Sequence, residues 1–444
     1  MIRGDVIVRK KNITGIFLAA VLLLAGCAGR QSTGPINEAK DPVEEAAEEE
    51  SINEEPETAE LPEVSEPEEE PEEVPAEPEE EEEEEDEPEV EVGPPFSDSI
   101  DISTSDGKST TYFYALDTYI SMTVYGSESE NAVKDAVNIV DRLERILSTE
   151  MEGSELRVLN ENGNAICSEE LIEAVTLGQE YGENTDGTFN IALYPIDDAW
   201  GFFQNRDYRV PEESEIKELL ALAHPEDAVV TEMASREWSN GRKNSKLKKG
   251  IVFETEGMKL DLGGIAKGYI GDKIAELFTT EYSEGVTGAV ISLGGNITCI
   301  GKKPDGKQFK VGLQDPAKDV GQYCAVVTAA ATDGTPVSIV TSGDYERCFE
   351  VDGIKYHHII DPQTGYPADS GLSSVSVISE NSTLADALTT ALFVMGYDEA
   401  VEFWKSGRYD FEMILIDKNG KLYITEGLRN TVTKNTLPME VIGR

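Results

Sequence analysis

Oxygen-bearing side chains recur in this sequence at spacings suited to a cation or a phosphate. In "STLADALTTALFVMG", Asp386 and Thr390 are four residues apart, so on a helix they project from one side, one turn from each other. A carboxylate and a hydroxyl so placed make a ligand pair for Mg2+, which accepts few protein ligands and completes its shell with phosphate and water. A local reading is equally open: Thr383 as an N-cap, Asp386 as a first-turn acid favoured by the helix dipole, and a mid-helix threonine bonding back to its own turn. In "KLDLGGIAKGYIGDKIAELF" a strand is expected to end at Leu262, followed by a Gly263-Gly264 turn and a helix with Ile270, Ile274, Leu277 and Phe278 as its buried stripe. That geometry turns free backbone N–H groups toward an anion, and Lys267 adds a mobile positive charge. The segment is neither GxGxxG nor a Walker sequence. "ISLGGNITCIG" repeats the idea with Gly294-Gly295-Asn296 at the end of an apolar strand, and "VTSGDYER" supplies Thr341, Ser342 and Gly343.

Histidine is scarce, three in 444 residues, yet two stand side by side in "YHHIIDPQTGYPAD". On an extended strand neighbours face opposite ways, so His357 and His358 cannot share one site. One is expected to be a surface or sheet-face residue. The other adjoins an Asp-Pro turn, where a neutral imidazole can take a proton from a hydroxyl near pH 7. A lone histidine is also compatible with a structural role.

The elements that must carry these groups read as mixed helix and strand without strict alternation, which points to α+β. "NAVKDAVNIVDRLERIL" sets Val133, Val137, Val140, Leu143 and Leu147 on one helical stripe, "SEELIEAVTLGQEY" starts on the candidate N-cap Ser168, and "PEESEIKELLALA" starts with proline in its first turn. The stripe of the Asp386 helix is Leu384, Leu388, Ala391, Leu392 and Met395. "CFEVDGIKYHHII" and "FEMILIDKNGKLYIT" read as hairpins with tight turns at Asp352-Gly353 and Asn419-Gly420. Cys167, Cys299, Cys324 and Cys348 lack zinc spacing and are expected to be buried free thiols.

The first hundred residues have another composition. Residues 1–26 carry a basic start and an apolar run from Ile13 to Ala25, about half of what spans a bilayer comfortably, and therefore read as an export signal. It ends in "LLAGC", a lipobox-like sequence that makes Cys27 the expected lipidation site and places the protein on the extracytoplasmic face of a cell membrane. Residues 27–98 form an expected disordered tether: Glu38 to Glu91 holds 30 acidic residues and one lysine, 29 of the formal 51 negative charges. Stretched at roughly 3.1 Å per residue, such a segment reaches on the order of 200 Å. From Asp98 onward 57 acidic and 31 basic residues leave a net charge of −26, which argues against a nucleic-acid partner.

The ordered set "ALDTYISM", "LSTEMEGSELRVLN", "TDGTFNIALYPIDDAWGF", "DLGGIAKGY", "SLGGN", "TSGDYER", "HIIDPQTGYPAD" and "ADALTTALFVMG" resembles the FAD:protein FMN transferase (ApbE) family over nearly the whole chain after the tether. The resemblance implies a single T-fold-related α+β catalytic domain of two interleaved lobes over 99–444. It also implies a Mg2+-dependent enzyme that splits FAD, releases AMP and attaches FMN through a phosphoester to a Thr or Ser of an exported acceptor. FMN-binding-domain proteins and Rnf- or Nqr-type subunits are the acceptors implied. By motif, the metal ligands fall on the Gly264 carbonyl and the Asp386 and Thr390 side chains, and the catalytic residues on Asp386 and the general base His358, with His357 a bystander. FAD contacts fall on Leu116, Glu150, Thr188, Phe189, Asn190, Asp261, Lys267, Ser342, Gly343 and His358. Three positions depart from the family pattern: Asn190 stands for an aspartate, Asp117 for a glycine, and Glu150 where an aromatic can occur. The same site chemistry would also serve FAD hydrolysis by a Mg2+-dependent pyrophosphatase, and a flavin-binding lipoprotein without catalysis is the non-enzymatic alternative.

Overall fold

The computed structural model describes residues 95–239, 242–331, 334–434 and 436–444. The expected signal segment 1–26, the expected lipidation site Cys27 and nearly all of the expected 27–98 tether lie outside the described residues. Phe96 and Ser97 already belong to the packed chain, Phe96 edge-on to Phe113 at 6.2 Å and Ser97 N–H donating to Asn138 Oδ1 at 2.9 Å.

Ten strands make one sheet and lie side by side in their chain order: Ile102–Ser105, Lys108–Ala115, Thr118–Tyr125, Gly288–Leu293, Asn296–Gly301, Val337–Gly343, Leu372–Ser379, Glu412–Asp417, Leu422–Thr425 and Met439–Ile442. Every neighbouring pair is antiparallel except the last, which is parallel. The side-chain period of two splits these strands between two cores. Val340, Val375, Val377, Met413 and Leu415 face the helices. Ile339, Ile414 and Ile416 face a three-stranded sheet of Phe309–Gln314, Tyr323–Ala329 and Val432–Lys434 on the opposite side.

Seven helices are described: α1 (Ser129–Leu147), α2 (Glu155–Asn162), α3 (Glu169–Asn184), α4 (Tyr194–Trp200), α5 (Glu213–Leu220), α6 (Ala266–Thr280) and α7 (Ser382–Ser406). α1, α6 and α7 pack on the helix face of the sheet. A third, aromatic core joins Ile196 and Trp200 of α4 and Ile216 of α5 to Phe349 and Ile360, with the Trp200 indole donating to the Gly365 carbonyl at 2.9 Å. The chain enters this small core twice, around 193–220 and again around 349–366, so the two parts are interleaved in sequence.

The α1 stripe is fully buried, and Ser168 caps α3 by accepting from Leu171 N–H at 3.2 Å. Cys299 and Cys324 are buried as expected, whereas Cys167 and Cys348 are only partly buried. Five local expectations shift. No strand ends at Leu262; Leu260 is instead held by both ends of the Asn160 amide at 2.8 Å, and Asp261 N–H reaches the Ile191 carbonyl at 2.7 Å. Leu277 is only partly buried. Gly294-Gly295 is the two-residue turn of a hairpin, with φ of 60° and 99°. Asp352-Gly353 makes the expected tight turn, whereas the Asn419-Gly420 hairpin closes over three residues, Asp417 N–H bonding to Lys421 O, with only Gly420 left-handed. Pro211 lies outside α5, which starts at Glu213.

The contact that positions the site is the crossing of α6 and α7. A Cβ on Gly268 would fall 2.4 Å from the Ser382 carbonyl oxygen, a backbone atom that cannot step aside. Gly268→Ala is expected to lower unfolding free energy by about 2 kcal/mol, within the range for overpacking, measured by urea denaturation of the full chain. An unchanged midpoint would mean that the helices are free to separate.

Candidate active site

α6 and α7 cap each other. The first-turn N–H groups of a helix have no partner of their own; here Gly268 N–H donates to Asp386 Oδ2 of α7 at 2.9 Å. In return Asp272 of α6 accepts from the N–H groups of Ser382 and Thr383, each at 2.8 Å, and from the Thr383 hydroxyl at 2.6 Å. Asn381, not Thr383, is the N-cap of α7, accepting from Leu384 N–H at 2.7 Å. Asp386 is thus no first-turn acid of its own helix; it serves the neighbouring one.

Gly264 approaches the same point. A Cβ there would lie 2.9 Å from the Phe189 ring and 3.9 Å from Thr390 Oγ1. Among the described residues no hydrogen bond is made to the Gly264 carbonyl or by the Thr390 hydroxyl, and the Gly268 N–H that a longer helix would give to Gly264 goes to Asp386 instead. The Gly264 backbone thus lies beside Thr390, and Gly268 of the same turn beside Asp386, leaving oxygens of all three residues with acceptor capacity to spare. That donor set fits Mg2+. The described residues contain no group of three or more His, Cys, Asp or Glu side chains able to hold a metal, so any cation here would rest largely on neutral oxygens and on its substrate. Ser342 lies one layer back, its hydroxyl 2.8 Å from that of Thr389, which itself donates to the Asp386 carbonyl at 2.7 Å. Asn296 accepts from the Ser382 hydroxyl, while its buried Nδ2 has no hydrogen-bond partner.

Around this point charges crowd. Burial raises the Asp386 carboxyl, chiefly opposed by Lys267. Burial also raises Asp261, whose Oδ1 accepts from Gly263 N–H at 2.9 Å. Glu346 is open to solvent on one side yet crowded enough to be pushed up to about 6, against Lys267 and Arg347. Asp197 is raised well above the usual range by burial and by Asp261, and its Oδ1 is buried without a partner. Half-open residues with crowded charges are the walls of a cleft. Lys267 reaches back to the Gly263 carbonyl at 3.0 Å. Four carboxylates (Asp197, Asp261, Glu346, Asp386) thus face two cations (Lys267, Arg347).

The histidines divide as alternation requires, with the bystander inward. His357 is buried, its Nε2 3.1 Å from the Ala368 carbonyl and its ring edge-on to Phe393 at 5.5 Å. His358 is half-buried at the cleft, and its Nδ1 lacks a partner. Burial first, then Arg347, His357 and Lys267, lower its pKa to about 3.

The remaining expected contacts are mixed. Phe189 touches Gly264. Thr188 and Asn190 are bound to backbone: the Thr188 hydroxyl donates to Thr185 O at 2.8 Å, Asn190 Nδ2 donates to Ala223 O at 2.9 Å, and Asn190 Oδ1 accepts from Ala192 N–H at 2.7 Å. Asn190 is thereby engaged at both ends by protein. Glu150 is raised mainly by burial and senses Arg206, Asp117 and Asp198. Leu116 and Asp117 form a two-residue turn, both left-handed at φ 53° and 57°, a conformation costing roughly 1–2 kcal/mol per non-glycine residue. Buried Gly343 sits under the Tyr345 ring. Sequence reasoning missed Arg347, Glu346 and Asp197. The first two lie inside the quoted "TSGDYER" and the third inside "YPIDDAWGF", but nothing in their spacing signals that they meet.

The class defined so far is an antiparallel α+β domain with a charged, oxygen-lined cleft at a helix crossing. The ApbE family model matches residues 116–415. An FAD:protein FMN transferase of Klebsiella pneumoniae (strain 342) is 30% identical over 308 residues, 68% of this chain and 87% of that protein. One from Treponema pallidum is 34% identical over 285 residues, 62% of this chain and 74% of that one. Among solved structures, the ApbE protein of Thermotoga maritima has a TM-score of 0.61 at 28% identity, covering 72% of this chain and 97% of its own. The flavin transferase ApbE of Vibrio cholerae shares the fold with a TM-score of 0.59 at 22% identity, covering 73% and 99%. The chain belongs to the ApbE family.

A folded-state pKa near 3 against an ordinary 6.5 leaves His358 neutral at pH 7. As pH falls, the unfolded chain takes up this proton first. The associated stability is therefore complete above about pH 6.5 and is lost on acidification toward pH 3. The His358 ring resonances are expected to show no titration between about pH 5 and 8, followed by NMR against a His358→Gln control; an inflection near 6.5 would contradict the burial.

Proposed function

We propose that the chain is a Mg2+-dependent FAD:protein FMN transferase that moves FMN from FAD to a Thr or Ser hydroxyl of an exported acceptor. The observation that carries this reading is that Gly264 lies beside Thr390 and Gly268 is bonded to Asp386 at the helix crossing, next to a cleft where carboxylates outnumber cations. Such a cleft repels a bare pyrophosphate, and Mg2+ on the Gly264 carbonyl, the Asp386 carboxylate and the Thr390 hydroxyl would offset the excess charge and polarise the phosphoryl oxygens.

The chain's own residues supply the rest. Lys267 and Arg347 face the phosphates as cations. His358, neutral and with an unpartnered ring nitrogen, accepts the proton of the acceptor hydroxyl as its oxygen bonds to the FMN phosphorus and the bond to AMP breaks. The low basicity of His358 belongs to the site without substrate. Two of its causes are Arg347 and Lys267, and an anion between them raises the pKa toward a useful range. A Cys27 lipid anchor on the extracytoplasmic membrane face and the acidic tether would let the domain reach acceptors such as FMN-binding-domain proteins or Rnf- and Nqr-type subunits.

With FAD, Mg2+ and a candidate acceptor, in-gel flavin fluorescence and a mass gain of one FMN on the acceptor are expected. Asp386→Ala abolishes labelling, and His358→Ala slows it by about a hundredfold with FAD binding retained. Labelling by Asp386→Ala at the normal rate refutes the metal assignment. FMN and AMP released with no labelled acceptor identifies a pyrophosphatase.

A further inference from the structure

The turn Leu116-Asp117 joins two strands that pair in register from Ala115↔Thr118 outward, and both of its residues are left-handed. Turns of this kind favour Asn-Gly or Asp-Gly, because L side chains resist positive φ. Six non-glycine residues adopt that conformation among the described residues; five are Asp or Asn, and the sixth is Leu116. Leucine has no side-chain hydrogen bond with which to stabilise the conformation itself.

External bonds hold the turn. Glu144, from the last full turn of α1, accepts Leu116 N–H on Oε1 at 2.7 Å. Gln204 donates its side-chain amide to the Asp117 carboxylate and lies 3.5 Å from the Tyr114 hydroxyl. Like charge surrounds the turn: the Asp117 carboxylate acts on Glu150, Asp261 and Glu144 alike. A strained turn under like-charge repulsion persists only where its surroundings over-determine it, and such turns cluster at binding sites.

We infer that Glu144 is a positioning residue, whose carboxylate clamps the Leu116-Asp117 turn against the cleft so that its binding conformation is set before FAD arrives. The inference rests on the FAD reading of the site and extends it to a residue outside every site motif. Glu144 touches no reacting group; it acts through the Leu116 amide. A charge-assisted bond to that N–H replaces the freedom that a glycine at 117 would otherwise provide.

The test uses the full chain with Mg2+. Glu144→Ala is expected to raise the FAD Kd, read by flavin fluorescence, and the KM by about tenfold, with kcat within about twofold, the pattern of lost binding rather than lost chemistry. Glu144→Gln, whose side-chain oxygen still accepts the N–H, stays within about threefold of the unaltered chain. Adding Asp117→Gly to Glu144→Ala restores most of the affinity, since glycine takes positive φ unaided. Hydrogen exchange at the Leu116 amide, followed without FAD, is expected to quicken by about tenfold in Glu144→Ala. An unaltered chain that fails to bind FAD overturns the flavin reading while the exchange rate still judges the clamp. Unchanged exchange, unchanged Kd in Glu144→Ala, or no rescue by Asp117→Gly overturns the clamp itself.

Discussion

The bond from Gly268 N–H to Asp386 Oδ2, 2.9 Å across the α6–α7 crossing, joins the stability of this domain to its chemistry. A helix start needs acceptors for its first amides, which Asp386 supplies, and the proposed cation site would draw on the same fixed carboxylate. The reciprocal bonds from Ser382 and Thr383 to Asp272 lock the two helices in register. Gly268 is the residue that allows them to come so close. Because Gly268 N–H is diverted to Asp386, the Gly264 carbonyl is left without a backbone partner among the described residues, and in the proposed reading it is free to serve the cation.

Electrostatics in the cleft follow from what the fold brings together. Lys267 comes from the start of α6, and Arg347 and Glu346 from the segment after strand Val337–Gly343. Asp197 comes from α4 at the edge of the aromatic core. Carboxylates raised by burial beside two cations leave the site's charge unbalanced, and in the proposed reading a divalent cation and a phosphate together would offset it. The half-buried His358 is kept neutral by burial and by those same cations, and in the proposed reading an anion between them would raise its basicity.

Much of this was legible in the sequence, for reasons that differ by element. The α1 stripe and the Asp352-Gly353 turn are local statements, and the structure repeats them. The opposed directions of His357 and His358 followed from strand geometry, although alternation alone did not say which would face the core. The segment before Gly263 failed as a strand because its backbone groups bond to Asn160 and Ile191, partners remote in sequence. Thr383 failed as an N-cap because Asn381 holds that place and Thr383 is drawn to Asp272 on another helix.

By itself, then, the sequence determined the period and polarity of each element, the acidity of residues 38–91 and the i, i+4 pairing of Asp386 with Thr390, since all of these are set within a few residues by backbone geometry and charge. It also carried the ordered motifs that resemble the ApbE family. Only the tertiary structure decided that Gly264 comes to stand beside Thr390, that Asn190 is engaged at both ends by backbone, that Arg347, Glu346 and Asp197 meet at one cleft, and that Glu144 holds a left-handed leucine. Each of these depends on contacts between residues far apart in the chain. Such contacts are fixed by the packing of the sheet, the crossing helices and the aromatic core, and no local preference encodes them.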